Sequence, residues 1–126
     1  MILYLASDLI WATKIKGVAE HLGLPCRPVR TLEMLEARLA DSDVSAVLLD
    51  LEKPEEALAM IERLRQESAG EQDQKIRVVA FGPHVLVELF QQARDAGADE
   101  VLARGVLDRN MPEILLALAG RGGSRA

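Results

Sequence analysis

Ala46-Val47-Leu48-Leu49-Asp50, with Pro54 four residues beyond the acid, is the stretch whose reading decides the fold. An apolar run this short, ending on one carboxylate, reads as a buried strand. Such a strand delivers Asp50 to the carboxyl edge of a sheet, where open α/β sheets assemble their chemistry.

Toward the amino terminus, Ile2 to Ala6 reads as a first strand, and Ser7 or Asp8 caps a helix with the inner stripe Trp11, Ile15, Val18 and Leu22. Gly17 weakens that helix by about 1 kcal/mol relative to alanine, and Gly23 ends it. A weak strand follows from Leu24 to Val29, where Pro25 and Pro28 remove ladder donors and suit an edge position. Thr31 caps the next helix, with Leu32, Leu35 and Leu39 on one face, and Asp41-Ser42-Asp43 turns into the central strand, Val44 to Asp50.

Toward the carboxyl terminus, Pro54 suits the first position of a helix, with Glu55 and Glu56 near its positive dipole end and Leu58, Ile61 and Leu64 inward. Ser68 to Lys75 is polar and reads as a mobile loop. Ile76 to Phe81 is the fourth strand, Gly82-Pro83 a turn, and Leu86, Leu89, Phe90 and Ala93 mark a helix ending near Gly97. Val101 to Ala103 is the fifth strand. Asn110-Met111-Pro112-Glu113 resembles a capping box opening a last helix, with Ile114, Leu115 and Leu118 inward.

Five strands alternating with helices imply parallel strands joined by helical crossovers, with helices on both faces. The expected fold is α/β: a doubly wound, flavodoxin-like sheet of five parallel strands in the order 2-1-3-4-5. Residues 1–120 form one domain, and 121–126 read as a disordered tail.

The chain has 126 residues, 49% hydrophobic but only 3% aromatic, so aliphatic side chains must build the core. Fifteen basic residues against 20 acidic give a net charge of −5. That argues against broad binding to nucleic acid, which needs clustered Lys and Arg. Cys26 is the only cysteine, which leaves no disulfide framework or cysteine metal cage and fits a cytoplasmic protein. The apolar start meets Asp8 too early for a signal peptide, and no run nears the ~20 apolar residues of a membrane span.

The segment Val47-Leu48-Leu49-Asp50-Leu51-x-x-Pro54 resembles the third strand of bacterial response-regulator receiver (CheY-like) domains, whose aspartate accepts a phosphoryl group. The likeness covers about residues 1–120, and Gly97-Ala98-Asp99-Glu100 resembles the Gly-Ala-Asp-Asp that receivers carry before their last strand. By this resemblance Asp50 holds the phosphoacceptor position. The two acids that bind Mg²⁺ in receivers align with Ala6 and Ser7, neither a carboxylate, with Asp8 one position later. The hydroxyl that follows the phosphoryl group aligns with Gly82, the lysine with Arg104 and the aromatic switch residue with Val101. Arginine keeps the charge but presents a planar fork instead of a compact ammonium.

Asp50 with a cation is therefore all that survives, and the resemblance is to an atypical, or pseudo-receiver, variant. Asp50 either still accepts phosphate or pairs with Arg104 and braces the loops, and the ion pair is the favoured reading. Asp8 is read as a helix cap over a metal ligand, Trp11 as core, His21 and His84 as solvated surface, and Cys26 as inert. Val106 and Leu107 either belong to an interaction face with Glu88, Gln91, Gln92, Arg94 and Arg109, or tuck under the last helix.

The expected function is a stand-alone receiver-like module of bacterial signal transduction, not an enzyme, needing no metal and acting by protein–protein contact. With no effector domain after the last helix, output is expected through a histidine kinase, an effector or a homodimer, and not through nucleic acid or membrane. The alternative is a working phosphoacceptor at Asp50 in a two-component phosphorelay, with Mg²⁺ as cofactor. A third reading places a small anion near Ser7, Gly82 and Arg104.

Overall fold

All five residues of β3 (Ala46–Asp50) are buried, because helices cover both faces of the sheet they run through. The computed structural model describes residues 1–124, with side chains through residue 120. The other strands are β1 (Ile2–Leu5), β2 (Cys26–Pro28), β4 (Arg77–Gly82) and β5 (Glu100–Ala103). They form one parallel sheet in the order β2-β1-β3-β4-β5, as the alternating pattern requires.

Period-two alternation sorts the strand side chains onto the two faces. Leu3, Leu5, Val47, Leu49, Val78 and Ala80 meet α2 (Leu32–Asp41), α3 (Pro54–Arg65) and α5 (Val87–Ala96). Ile2, Tyr4, Ala46, Leu48, Val79 and Phe81 meet α1 (Leu9–His21) and α7 (Met111–Ser124). Truncating a fully buried leucine such as Leu49 to alanine costs about 2–5 kcal/mol. Among the described residues no helix is long and apolar enough to cross a membrane.

Several helical details depart from the sequence pattern. Leu32 is 40% exposed, and Leu35 is the buried member of its stripe. In α3 Ala57 and Met60 join Ile61 and Leu64 in the core, while Leu58 is half-buried. Gly82 ends β4 instead of turning the chain; the turn lies at Pro83–Leu86, closed by Leu86 N–H donating to Pro83 O at 3.0 Å.

Two segments that the sequence pattern did not assign to helices are helical. Within 68–75, α4 (Glu71–Gln74) is pinned to the end of α3 by Arg65 Nη1, which donates to Gln74 O at 3.0 Å, and to the preceding connection by Gln74 Nε2, which donates to Ala69 O at 2.9 Å. Immediately after β5, α6 (Arg104–Arg109) packs Leu107 fully into the core beside Met111. The Asn110 amide closes α6 by donating to Val106 O at 3.0 Å, a bond that replaces the reciprocal cap expected with Glu113. Helix α7 runs past Gly120 to Ser124, where a tail was expected, and the remainder of that tail, residues 125–126, lies outside the described residues.

Candidate functional site at the carboxyl edge

Three strand ends build the site. β3 ends on Asp50, flanked by the end of β1 with Ala6 and Ser7 and by the end of β4 with Gly82. Asp50 has no exposed surface and is the only buried charged or polar residue among the described residues. One carboxylate oxygen accepts from Ser7 N–H at 2.8 Å and the other from Glu52 N–H at 3.0 Å. Its carbonyl accepts from Lys53 N–H at 3.0 Å. Bonds of this charge-assisted kind are about twice as strong as neutral ones. The positive ends of α1 and α3 lie a few residues beyond the two donors and add in the same direction.

The expected ion pair between Asp50 and Arg104 does not form. Arg104 starts α6 and pairs with Glu52, whose backbone N–H in turn holds Asp50. Glu52 thus takes the cation, because a half-exposed carboxylate on a loop reaches a surface arginine that a buried one does not. Its position two residues after Asp50 was the available signal: two acids compete there for one cation. The Arg104 guanidinium also lies 5.7 Å from the centroid of Trp11, and its Nε is buried without a partner.

Trp11 is core, as its place on the stripe of α1 implies: it is 8% exposed and packs on Phe81 with ring centroids 5.4 Å apart. Lys14 lies over its ring at 5.1 Å and bonds Asp108 at 3.0 Å, tying α1 to α6. Asp8 is the cap, accepting from Trp11 N–H at 2.9 Å. A β-carbon at Gly82 would lie 3.4 Å from Leu51 Cβ, an ordinary contact, so the missing hydroxyl is not excluded by space.

The donor set does not fit Mg²⁺. That ion takes near-octahedral oxygen ligation from carboxylates and waters. Here Ala6 and Ser7 stand where carboxylates are needed, Asp8 is engaged as a cap, and both Asp50 oxygens already accept N–H groups. Among the described residues no three His, Cys, Asp or Glu side chains cluster to hold a metal ion.

Of the expected interaction face, Glu88, Gln91, Gln92, Arg94 and Arg109 are exposed and Val106 is half-buried, but Leu107 belongs to the core. Val85 and Val87 are the strongly exposed apolar residues there, at 70% and 68%. His21 and His84 are exposed. Burial pushes the Cys26 thiol up to about 11.

No protein-family model matches the chain, and no curated protein matches it. Solved structures do. A signal receiver domain of a response regulator from Bermanella marisrubri superposes with a TM-score of 0.76 at 20% identity, covering 94% of this chain and 97% of that one. A response regulator from Thermotoga maritima gives 0.73 at 18%, covering 94% and 95%. A response regulator from Burkholderia pseudomallei, solved with a phosphorylated aspartic acid and a calcium ion, gives 0.70 at 17%, covering 95% of this chain and 66% of that one. The chain has the fold of response-regulator receiver (CheY-like) domains.

Proposed function

We propose that the chain is an atypical receiver module of bacterial two-component signalling, one that works by protein–protein contact without Mg²⁺-dependent phosphorylation of Asp50. The observation that carries this reading is the state of Asp50: no exposed surface, both oxygens bonded to backbone N–H groups, and no carboxylate at Ala6 or Ser7 beside it. Phosphoryl transfer concentrates negative charge that a metal ion must neutralise, and a phosphoryl group on either oxygen here would also disturb the N–H bond that this oxygen accepts.

The output surface is the face of α5, β5 and α6, with Val85 and Val87 as its apolar part and Glu88, Gln91 and Arg109 as its polar rim. Its partner is a histidine kinase, an effector or a second copy of the chain. Intact mass after incubation with acetyl phosphate and Mg²⁺ tests the chemistry: the expected result is an unmodified chain. A phosphoryl adduct that disappears in Asp50→Asn would establish the working phosphoacceptor instead. Light scattering tests self-association: a dimer weakened by Val87→Glu is expected if the partner is a second copy.

A further inference from the structure

Two cavities on the side of the sheet away from that output face share Leu9, Ala12 and Arg30 in their walls and form one trough. The larger, about 520 Å³, runs between α1 and the edge strand β2 and includes Tyr4, Lys16, Glu20 and Arg27. The smaller, about 280 Å³, continues to the end of β1 and reaches Asp8 and Lys53. Leu9 stands on the crest, 79% exposed, and borders a further shallow cleft with Ile10 and Thr13.

The charges of this trough run against those of the chain. Its walls carry four cationic residues, Lys16, Arg27, Arg30 and Lys53, and two carboxylates, in a protein of net charge −5. Both carboxylates are engaged: Asp8 caps α1, and Glu20 lies 4.0 Å from Lys16. Arg30 and Lys53 form no ion pair among the described residues, and Arg27 bonds only the carbonyl of Cys26, at 3.1 Å. Three cations without a carboxylate partner beside an exposed leucine form a local positive field on an acidic molecule.

We infer that this trough docks an extended acidic peptide segment of a partner protein, with Arg27, Arg30 and Lys53 receiving its carboxylates and Leu9 an apolar side chain. Guanidinium groups suit this because their fork matches carboxylate geometry. A cationic trough with an apolar crest is one of the recurring ways of reading an acidic motif. The inference does not depend on the state of Asp50 or on the face of α5, β5 and α6.

Fluorescence polarisation of a short fluorescein-labelled peptide of alternating glutamate and leucine tests it on the full chain. Binding is expected at low salt and is expected to weaken as ionic strength rises from about 50 to about 500 mM, where the screening length shortens. The double variant Arg30→Glu/Lys53→Glu is expected to bind about tenfold or more weakly, with Arg30→Gln/Lys53→Gln between it and the parent. Both residues are exposed, so unchanged circular dichroism is expected for each variant. Arg94→Glu, on α5, is expected to leave binding unchanged. Equal binding of a glutamine-for-glutamate peptide, or no loss in the Glu double variant, would overturn the proposal. So would a chain that is dimeric by light scattering and made monomeric by the same variant, since the occupant would then be a second copy.

Discussion

Arg65 and Arg104 stand at opposite edges of the same sheet, and their surroundings differ sharply. At the amino edge, Arg65 Nε donates to Gly97 O at 3.0 Å, Nη1 to Gln74 O at 3.0 Å and Nη2 to Asp99 Oδ2 at 2.9 Å. Asp99 also accepts from Val78 N–H at 2.8 Å, so the Gly97-Ala98-Asp99 segment locks α3, α4, β4 and β5 together. At the carboxyl edge, Arg104 has one ion pair, an aromatic ring beneath it and a buried Nε with no partner. The Arg65 guanidinium is therefore paired on three nitrogens at the amino edge, while that of Arg104 keeps an unpartnered buried nitrogen at the carboxyl edge. The two edges share no polar contact through these arginines, so residues at one can change without disturbing those at the other.

Variants at the two edges test that division. The largest effect is expected for Gly97→Ala. Its φ of +119° disfavours a side chain, and a β-carbon would come within 2.6 Å of Arg65 Cγ. A loss of about 2–3 kcal/mol in urea unfolding is expected. A loss below about 0.5 kcal/mol, the usual scale of surface substitutions, would show that Arg65 yields without strain.

Asp50→Asn is expected to cost less, about 1–2 kcal/mol, because one N–H of the new amide must face the Ser7 or Glu52 N–H that the carboxylate now accepts. Stabilisation by this substitution would mean that the buried negative charge is a liability the two donors do not relieve. Arg104→Ala removes an ion pair whose side chains are 32% and 39% exposed, and screening limits the loss to about 1 kcal/mol or less. Trp11 is the only tryptophan in the chain, so its emission reports this corner directly, and a red shift is expected as the guanidinium leaves its face.

The smallest effect concerns Cys26. Burial holds its thiol protonated up to about 11, against an ordinary value of 9. The thiolate is the reactive form, so slow alkylation at pH 8 is expected in the folded protein and rapid alkylation in urea. Because the folded value is the raised one, ionisation of Cys26 leaves stability unchanged below pH 9 and lowers it as pH rises from 9 toward 11.

The parallel sheet was legible because β3 is buried on both faces and therefore reads as an unbroken apolar run, and because Asp8, Thr31, Pro54 and Gly97 mark helix ends where they stand. Helices α4 and α6 were not legible. They have four and six residues, too short for a helical period to show, and tertiary contacts hold them: Arg65 and Arg63 over α4, Leu107 beneath α6.

At the site, alignment with receivers located Asp50, Ser7, Gly82 and Arg104 at one edge, and the structure brings their strand ends together. It did not locate Glu52, because partner choice among nearby charges depends on burial, which a linear pattern does not carry. Of the two readings open for Leu107, an interaction face or a place under the last helix, the second holds, and the sequence could not choose between them for a related reason. Gly105 and Asp108 make its surroundings read as a loop, while the short helix turns that one side chain inward.

The most direct test of the carboxyl edge is the amide NMR spectrum of the protein with Mg²⁺ and beryllofluoride, a mimic of the phosphoryl group. The resonances of Ser7, Asp50, Glu52 and Gly82 are expected to stay where they are in the free protein, since Asp50 has no exposed surface and each of its oxygens already accepts an N–H group. Large, saturable shifts centred on Asp50 that require both reagents would contradict that expectation.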